Sequence, residues 1–140
     1  RFVDAEREVA RVVVHGERAR FREAVLATGM VPRPRKLDFD MHWQMMRHQY
    51  RPYLTPRFRF DAEYIKAGAQ YTGPQNPNLR HIALPPAWIW MQRLLWGLHA
   101  VMARLGAEGA FRPLMIAAIE APFTPVPVDL PETGPTANGR

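Results

Sequence analysis

The sequence predicts an all-α protein, and three observations support this. Apolar side chains recur at helical spacing through most of residues 4–120. Glycines stand where helices should stop, at Gly16, Gly29 and Gly106. Prolines and aspartates stand where helices should start, at Asp38, Asp61 and Pro86. Five to six helices followed by a proline-rich tail are the expected plan.

Residues 4–14 begin with acidic side chains, which the helix dipole favours in a first turn, and end at His15-Gly16. Residues 17–28 set Ala19, Phe21, Ala24, Val25 and Ala27 among charged positions before Gly29, so a helical hairpin is expected. Pro32 to Lys36 form a basic connector. Asp38 or Asp40 can then cap a third helix running to about Tyr50, which Pro52 stops. Arg57-Phe58-Arg59-Phe60 alternates like a strand, but four residues after a proline are read as a loop. Asp61 caps a fourth helix to about Tyr71, and residues 73–78 have the chemistry of turns.

The most regular segment is 86–105. Trp88, Met91, Leu94, Leu95, Leu98, Val101, Met102 and Leu105 gather on one broad face, with Leu95 at its centre and Arg93, Gly97 and Arg104 opposite. Trp90 and Trp96 project away from that face, which implies a second contact surface. It is either buried in a larger body or offered to a membrane or partner. Arg93 near the middle argues against a transmembrane span, because a charge in hydrocarbon costs several kcal/mol. Residues 108–120 read as a last short helix. Beyond them Pro122, Pro125, Pro127, Pro131 and Pro135 prevent regular structure, giving a helical segment 1–120 and a flexible tail 121–140.

The chain has 140 residues, 47% hydrophobic and 23% charged, enough for a sizeable core and too apolar for general disorder. It has no Cys, which excludes disulfide scaffolds, Cys-ligated metals and thiol nucleophiles and fits a reducing compartment. It opens on Arg1-Phe2-Val3 without Met or a leader and reads as a fragment. Lys and Arg number 19 against 13 Asp and Glu, a net charge of +6, and all the basic residues but Lys36 and Lys66 are Arg. Such a balance suits nucleic acid, anionic lipid or an acidic protein surface, or reflects genome composition, given that Ser is absent. Arg7, Arg11, Arg18 and Arg22 interleave with Glu6, Glu8, Glu17 and Glu23, so a solvated, ion-paired face is expected there and not a nucleic-acid stripe.

Catalytic chemistry is hard to find. Neither G-x-x-x-x-G-K-[ST] nor G-x-G-x-x-G occurs, and Asp38-Phe39-Asp40 has the wrong third residue for a kinase metal motif and is read as a helix cap. Without Ser there is no serine triad, and His15, His42, His48, His81 and His99 lack metal-ligand spacing. Met41 and Met45 beside His42 are read as an apolar helix stripe and not as a soft-metal site. Leu130-Pro131-Glu132-Thr133-Gly134 spells the L-P-x-T-G sortase pentapeptide. Only Pro135 to Arg140 follow it, so it is read as chance or as a tag.

Several segments taken in serial order resemble the C-terminal region of the UbiB/AarF family of atypical kinase-like proteins. They are His15-Gly16-Glu17-Arg18 through Val25; Phe39-Asp40 leading to Tyr50-Arg51-Pro52-Tyr53; and Phe58-Arg59-Phe60 before Glu63-Tyr64. Asn76-Pro77-Asn78-Leu79-Arg80, Leu84-Pro85-Pro86 with Arg93 and Gly97, and Arg104-Leu105-Gly106-Ala107-Glu108 follow. The resemblance implies that residues 4–120 are the helical end of a kinase-like C-lobe. It implies an ATPase or atypical kinase, linked to isoprenoid quinone (ubiquinone) biosynthesis or lipid metabolism at membranes, whose ATP and Mg²⁺ residues all lie upstream. No catalytic, cofactor or metal residue of the family has a counterpart here. The implied partner is the upstream kinase-like domain, with an anionic membrane surface as a second and no nucleic acid. The implied location is cytoplasmic, peripheral at the inner face of the membrane. Trp90, Arg93, Trp96 and Arg104 are the candidate docking residues. The alternative is a stand-alone helical module that binds a protein or a membrane surface.

Overall fold

The computed structural model describes residues 2–121. Six helices stand in the order α1 (Phe2–His15), α2 (Arg18–Ala27), α3 (Phe39–Gln49), α4 (Ala62–Thr72), α5 (Pro86–Arg104) and α6 (Arg112–Glu120). Two short strands, β1 (Phe58–Arg59) and β2 (Glu108–Gly109), interrupt them, so among the described residues the fold is all-α in class with one small ribbon. The proline-rich tail and the L-P-x-T-G pentapeptide lie outside the described residues, except for Ala121.

α1 is the centre of the N-terminal half. Its Val12-Val13-Val14 run is a poor helix former, yet Val12 and Val13 are fully enclosed, so packing and not propensity holds the helix. One side of α1 meets Phe21, Ala24 and Val25 of α2, with Val31 and Leu37 completing the cluster. Its other side, Ala10 and Val14, meets Ile119 of α6. The α1–α2 turn closes through Gly16 at φ +75°, where the Glu17 N–H donates to Val12 O (2.9 Å) and Gly16 N–H to Val13 O (3.2 Å). That Schellman geometry needs a left-handed residue, which glycine supplies without steric cost.

α3 begins where expected. The Asp38 carboxylate accepts from the N–H groups of Asp40 and Met41, both at 3.0 Å. The segment read as turns then fixes that start: Asn78, 1% exposed, accepts from Asp38 N–H (2.9 Å) and donates to Asp38 O (2.7 Å). Asn76 is buried beside it, accepting from Asn78 N–H (2.9 Å) and donating to Tyr71 O (2.8 Å). Two asparagines therefore tie the end of α4 to the start of α3. α4 itself is capped by Asp61, which accepts from Tyr64 N–H at 2.7 Å.

Two expectations are corrected. Arg57 to Phe60 is not simply a loop: Phe58 pairs with Gly109 and Arg59 with Glu108, antiparallel. Four alternating residues are too few to announce a strand whose partner stands about fifty residues away. The last helix accordingly begins at Arg112, because Glu108 and Gly109 commit their backbone to the ribbon and Pro113 suits a first turn. Phe58, Phe60 and Tyr64 form a third cluster under this ribbon, joined by Met102 and Phe111.

Candidate docking face and cleft on the long helix

α5 starts at Pro86 after Leu84-Pro85 and ends at Gly106, φ +60°, through the same Schellman bonds: Ala107 N–H to Met102 O (2.9 Å) and Gly106 N–H to Ala103 O (3.1 Å). Its 19 residues make a rod about 28 Å long. The expected apolar face is split in two. Trp88, Leu95 and Met102 lean inward, while Met91, Leu94, Leu98, Val101 and Leu105 stay exposed; Leu94 is 73% and Leu105 75% exposed. The centre of the inward side is His99, 2% exposed, and not Leu95. The reason is composition. Apolar residues occupy most of the circumference, so periodicity alone does not choose the arc that packs.

Gly68 of α4 makes that choice possible. A Cβ there would stand 3.1 Å from the Trp96 ring and 3.1 Å from His48 Nε2, so a larger residue would push these side chains back from α4 by a few tenths of an ångström. Trp96 stacks on His48 with centroids 6.3 Å apart and meets His99 edge-on at 5.8 Å. Tyr64 Oη lies 3.0 Å from His99 Nδ1. Desolvation, with a smaller like-charge contribution from His48, pulls His99 down to about 4, so the imidazole is neutral at pH 7. Burial and then Arg51 lower His48 in the same sense.

The four candidate docking residues thus divide. Trp90 is 69% exposed and Arg93 lies over its ring, guanidinium to centroid 5.4 Å, a cation–π pair at the surface. Arg104 is exposed at the far end of the same helix. Trp96 does not share that face: it points inward, because 100° per residue carries it to the side of His99 and α4.

Beneath the first half of α5 is a half-open cleft of about 530 Å³, for which the sequence carries no local signal. Its walls come from the start of α1, the end of α2, α3, the end of α4, residues 79–84 and the inward side of α5. Val9, Met45, Met46, Ile82 and Trp88 make it mainly apolar. Among the polar residues that also line it are Glu6 and His42, and both Glu6 Oε1 and His42 Nδ1 are buried without a hydrogen-bond partner. Burial raises Glu6 to about 7 and lowers His42 to about 4, so each leans toward its neutral form.

Glu6 was expected to help neutralise the arginines. It does not, because it falls three and four residues before Val9 and Ala10, on the packed side of α1. That spacing was the available signal. Glu8 and Glu17 of the expected set do form ion pairs: Arg11 bonds Glu8 (2.9 Å) and Glu17 (2.6 Å), Arg20 bonds Glu8 (3.0 Å) and Glu17 (3.2 Å), and Arg18 pairs with Asp40. Met45 and Met46 are half-buried at the cleft and His42 packs against Phe21, 5.6 Å between ring centroids.

The described residues do not fit ATP and Mg²⁺. Among them no group of three His, Cys, Asp or Glu is gathered to hold a metal ion. Gly16, Gly29 and Gly106, the glycines with positive φ, each follow a helix end and form no loop that could cradle phosphate. No helix among the described residues is long and apolar enough to cross a membrane. Among the described residues, fold and surface define a helical body with an exposed apolar line on α5 and a chiefly apolar cleft. No known protein-family model, curated protein or solved structure matches the chain.

Proposed function

We propose that this chain is the C-terminal helical portion of a UbiB/AarF-like atypical kinase or ATPase, and that its own part is non-catalytic: it buttresses the kinase-like body and docks through the outer face of α5. The observation that carries the reading is the file Trp90, Leu94, Leu98, Val101 and Leu105, exposed along successive turns of one helix. Monomeric proteins seldom leave so continuous an apolar surface uncovered, and such files mark contact sites. The serial motifs add support, because they fall at joints of the fold. His15-Gly16 is the α1–α2 turn, Phe58-Arg59-Phe60 the ribbon, Asn76 and Asn78 the clamp on α3, Leu84-Pro85-Pro86 the start of α5, and Arg104 to Glu108 its exit.

ATP and Mg²⁺, and the link to quinone or lipid metabolism, belong in this reading to the intact protein, with the catalytic groups upstream. The coding sequence ahead of Arg1 tests it. A Lys-x-Gly-Gln segment and an Asp-Phe-Gly motif in the same frame are the expected result, whereas a start codon immediately before Arg1 would overturn it and leave a stand-alone helical module.

A second reading is favoured by the Arg93–Trp90 pair and by Arg104, which fringe the apolar file with positive charge. That arrangement suits a peripheral position on anionic lipid. Co-sedimentation of the chain with phosphatidylserine vesicles, lost on adding salt and on Trp90→Ala, is the expected result. Equal recovery with neutral vesicles would contradict it.

A further inference from the structure

We propose that the cleft beneath α5 is a binding site for a neutral, single-tailed apolar molecule whose hydroxyl or carbonyl head hydrogen-bonds to Glu6 and whose tail lies against Met45, Met46 and Trp88. The proposal concerns a different surface from the docking face and stands whether or not the kinase-like reading holds.

Size is the first argument. At about 530 Å³ the cleft lies within the range of roughly 300–1,000 Å³ that accommodates small-molecule ligands. The second is chemistry: the walls are chiefly apolar, and of the polar residues among them Glu6 and His42 each hold a buried atom with no hydrogen-bond partner. Buried side-chain polar atoms nearly always have a hydrogen-bond partner, so the enclosed Glu6 Oε1 and His42 Nδ1, both without one, mark where a ligand's polar group is needed. The third is charge. An anionic head would face Glu6. A cationic head would have to shed its hydration among apolar walls that also carry Arg93. A neutral head meets neither obstacle, and a carboxyl that is neutral for part of the time can both donate to it and accept from it.

Displacement of the neutral dye Nile red from the full chain tests this, with dodecan-1-ol, dodecanoate and dodecyltrimethylammonium as competitors below their micellar concentrations. Dodecan-1-ol is expected to displace the dye about tenfold more tightly than either ion, the worth of one buried hydrogen bond. Glu6→Leu should erase that preference, while Glu6→Gln, which keeps a donor and an acceptor, should retain it. Because dye can also rest on the outer face of α5, the signal that counts is the part removed by Gln92→Trp, which fills the cleft from its α5 wall. Thermal unfolding by circular dichroism confirms that each variant is folded. Tighter binding of either ion, an unchanged preference in Glu6→Leu, or displacement indifferent to Gln92→Trp would each overturn the proposal.

Discussion

Phe21 near the middle of α2 is fully enclosed, between His42 and Trp43 on α3 and with the Arg18 guanidinium over its ring, whereas Leu94 near the middle of α5 is 73% exposed. Both are large apolar side chains on amphipathic-looking helices. The core around α1 is closed on several sides, since α1 is covered by α2, α3 and the last helix, α6. The long helix instead uses an inward line of Trp88, Trp96, His99 and Met102 against α4 and its neighbours and leaves a second apolar line bare. An apolar face is therefore not the same as a core face. What decides is whether a neighbour lies close, as α4 does at Gly68 beside Trp96 on the inward side.

The largest effect expected from this contrast is in the closed half. Phe21→Ala should cost about 3–5 kcal/mol, as truncation of a fully packed aromatic does, and should be read as a fall in the urea midpoint. Retained stability would break the claim that α1 and α2 close a core. Next is Asn78→Ala, which removes both side-chain bonds to Asp38 and leaves its N–H without that partner, while its C=O keeps the His42 N–H at 3.0 Å. About 2–3 kcal/mol should be lost, and hydrogen exchange at the start of α3 should quicken.

A pH-dependent pair separates the cleft from the rest. Glu6 has a folded pKa of about 7, above its unfolded value of 4.5, so the stability due to its neutral form is full below 4.5 and is lost as pH rises through 7. Glu6→Gln should therefore match the wild type at pH 4 and exceed it by about 1–2 kcal/mol at pH 8, a figure reduced for partial solvent access. A gain that is equal at both pH values would show that Glu6 is not held in an apolar setting. His42 runs in the opposite sense. Its folded pKa of about 4 lies below the unfolded 6.5, so stability falls as pH drops from 6.5 to 4, and His42→Gln should flatten that acid limb. The smallest effect is at Gly68. Gly68→Ala gains helix propensity but crowds Trp96 and His48 at 3.1 Å, so a net change within about 1 kcal/mol is expected, with a larger loss for Gly68→Val.

The helices were legible because their signals are local: Asp38 and Asp61 cap, Gly16 and Gly106 stop, and Pro86 starts. Contacts between distant residues were not. The Phe58–Gly109 pairing and the Asn78 clamp join segments about forty to fifty residues apart, and neither end signals the other. In α5 apolar residues fill too much of the circumference to single out one arc, so periodicity alone puts Trp96 outward and Leu95 at the centre. The cleft was half legible. Glu6 stands on the packed side of α1 at a spacing that could have been read, but its neighbours from α3 and α5 are brought together only by the tertiary fold.

The most direct test of the account compares the urea unfolding of Leu94→Glu/Leu98→Glu with that of the wild type and of Phe21→Ala. Among the described residues Leu94 and Leu98 stay 73% and 54% exposed, so the double variant should keep its unfolding free energy to within about 0.5 kcal/mol while Phe21→Ala loses several. A loss in the double variant comparable to that of Phe21→Ala would mean that Leu94 and Leu98 are core residues, and the docking face would have to be abandoned.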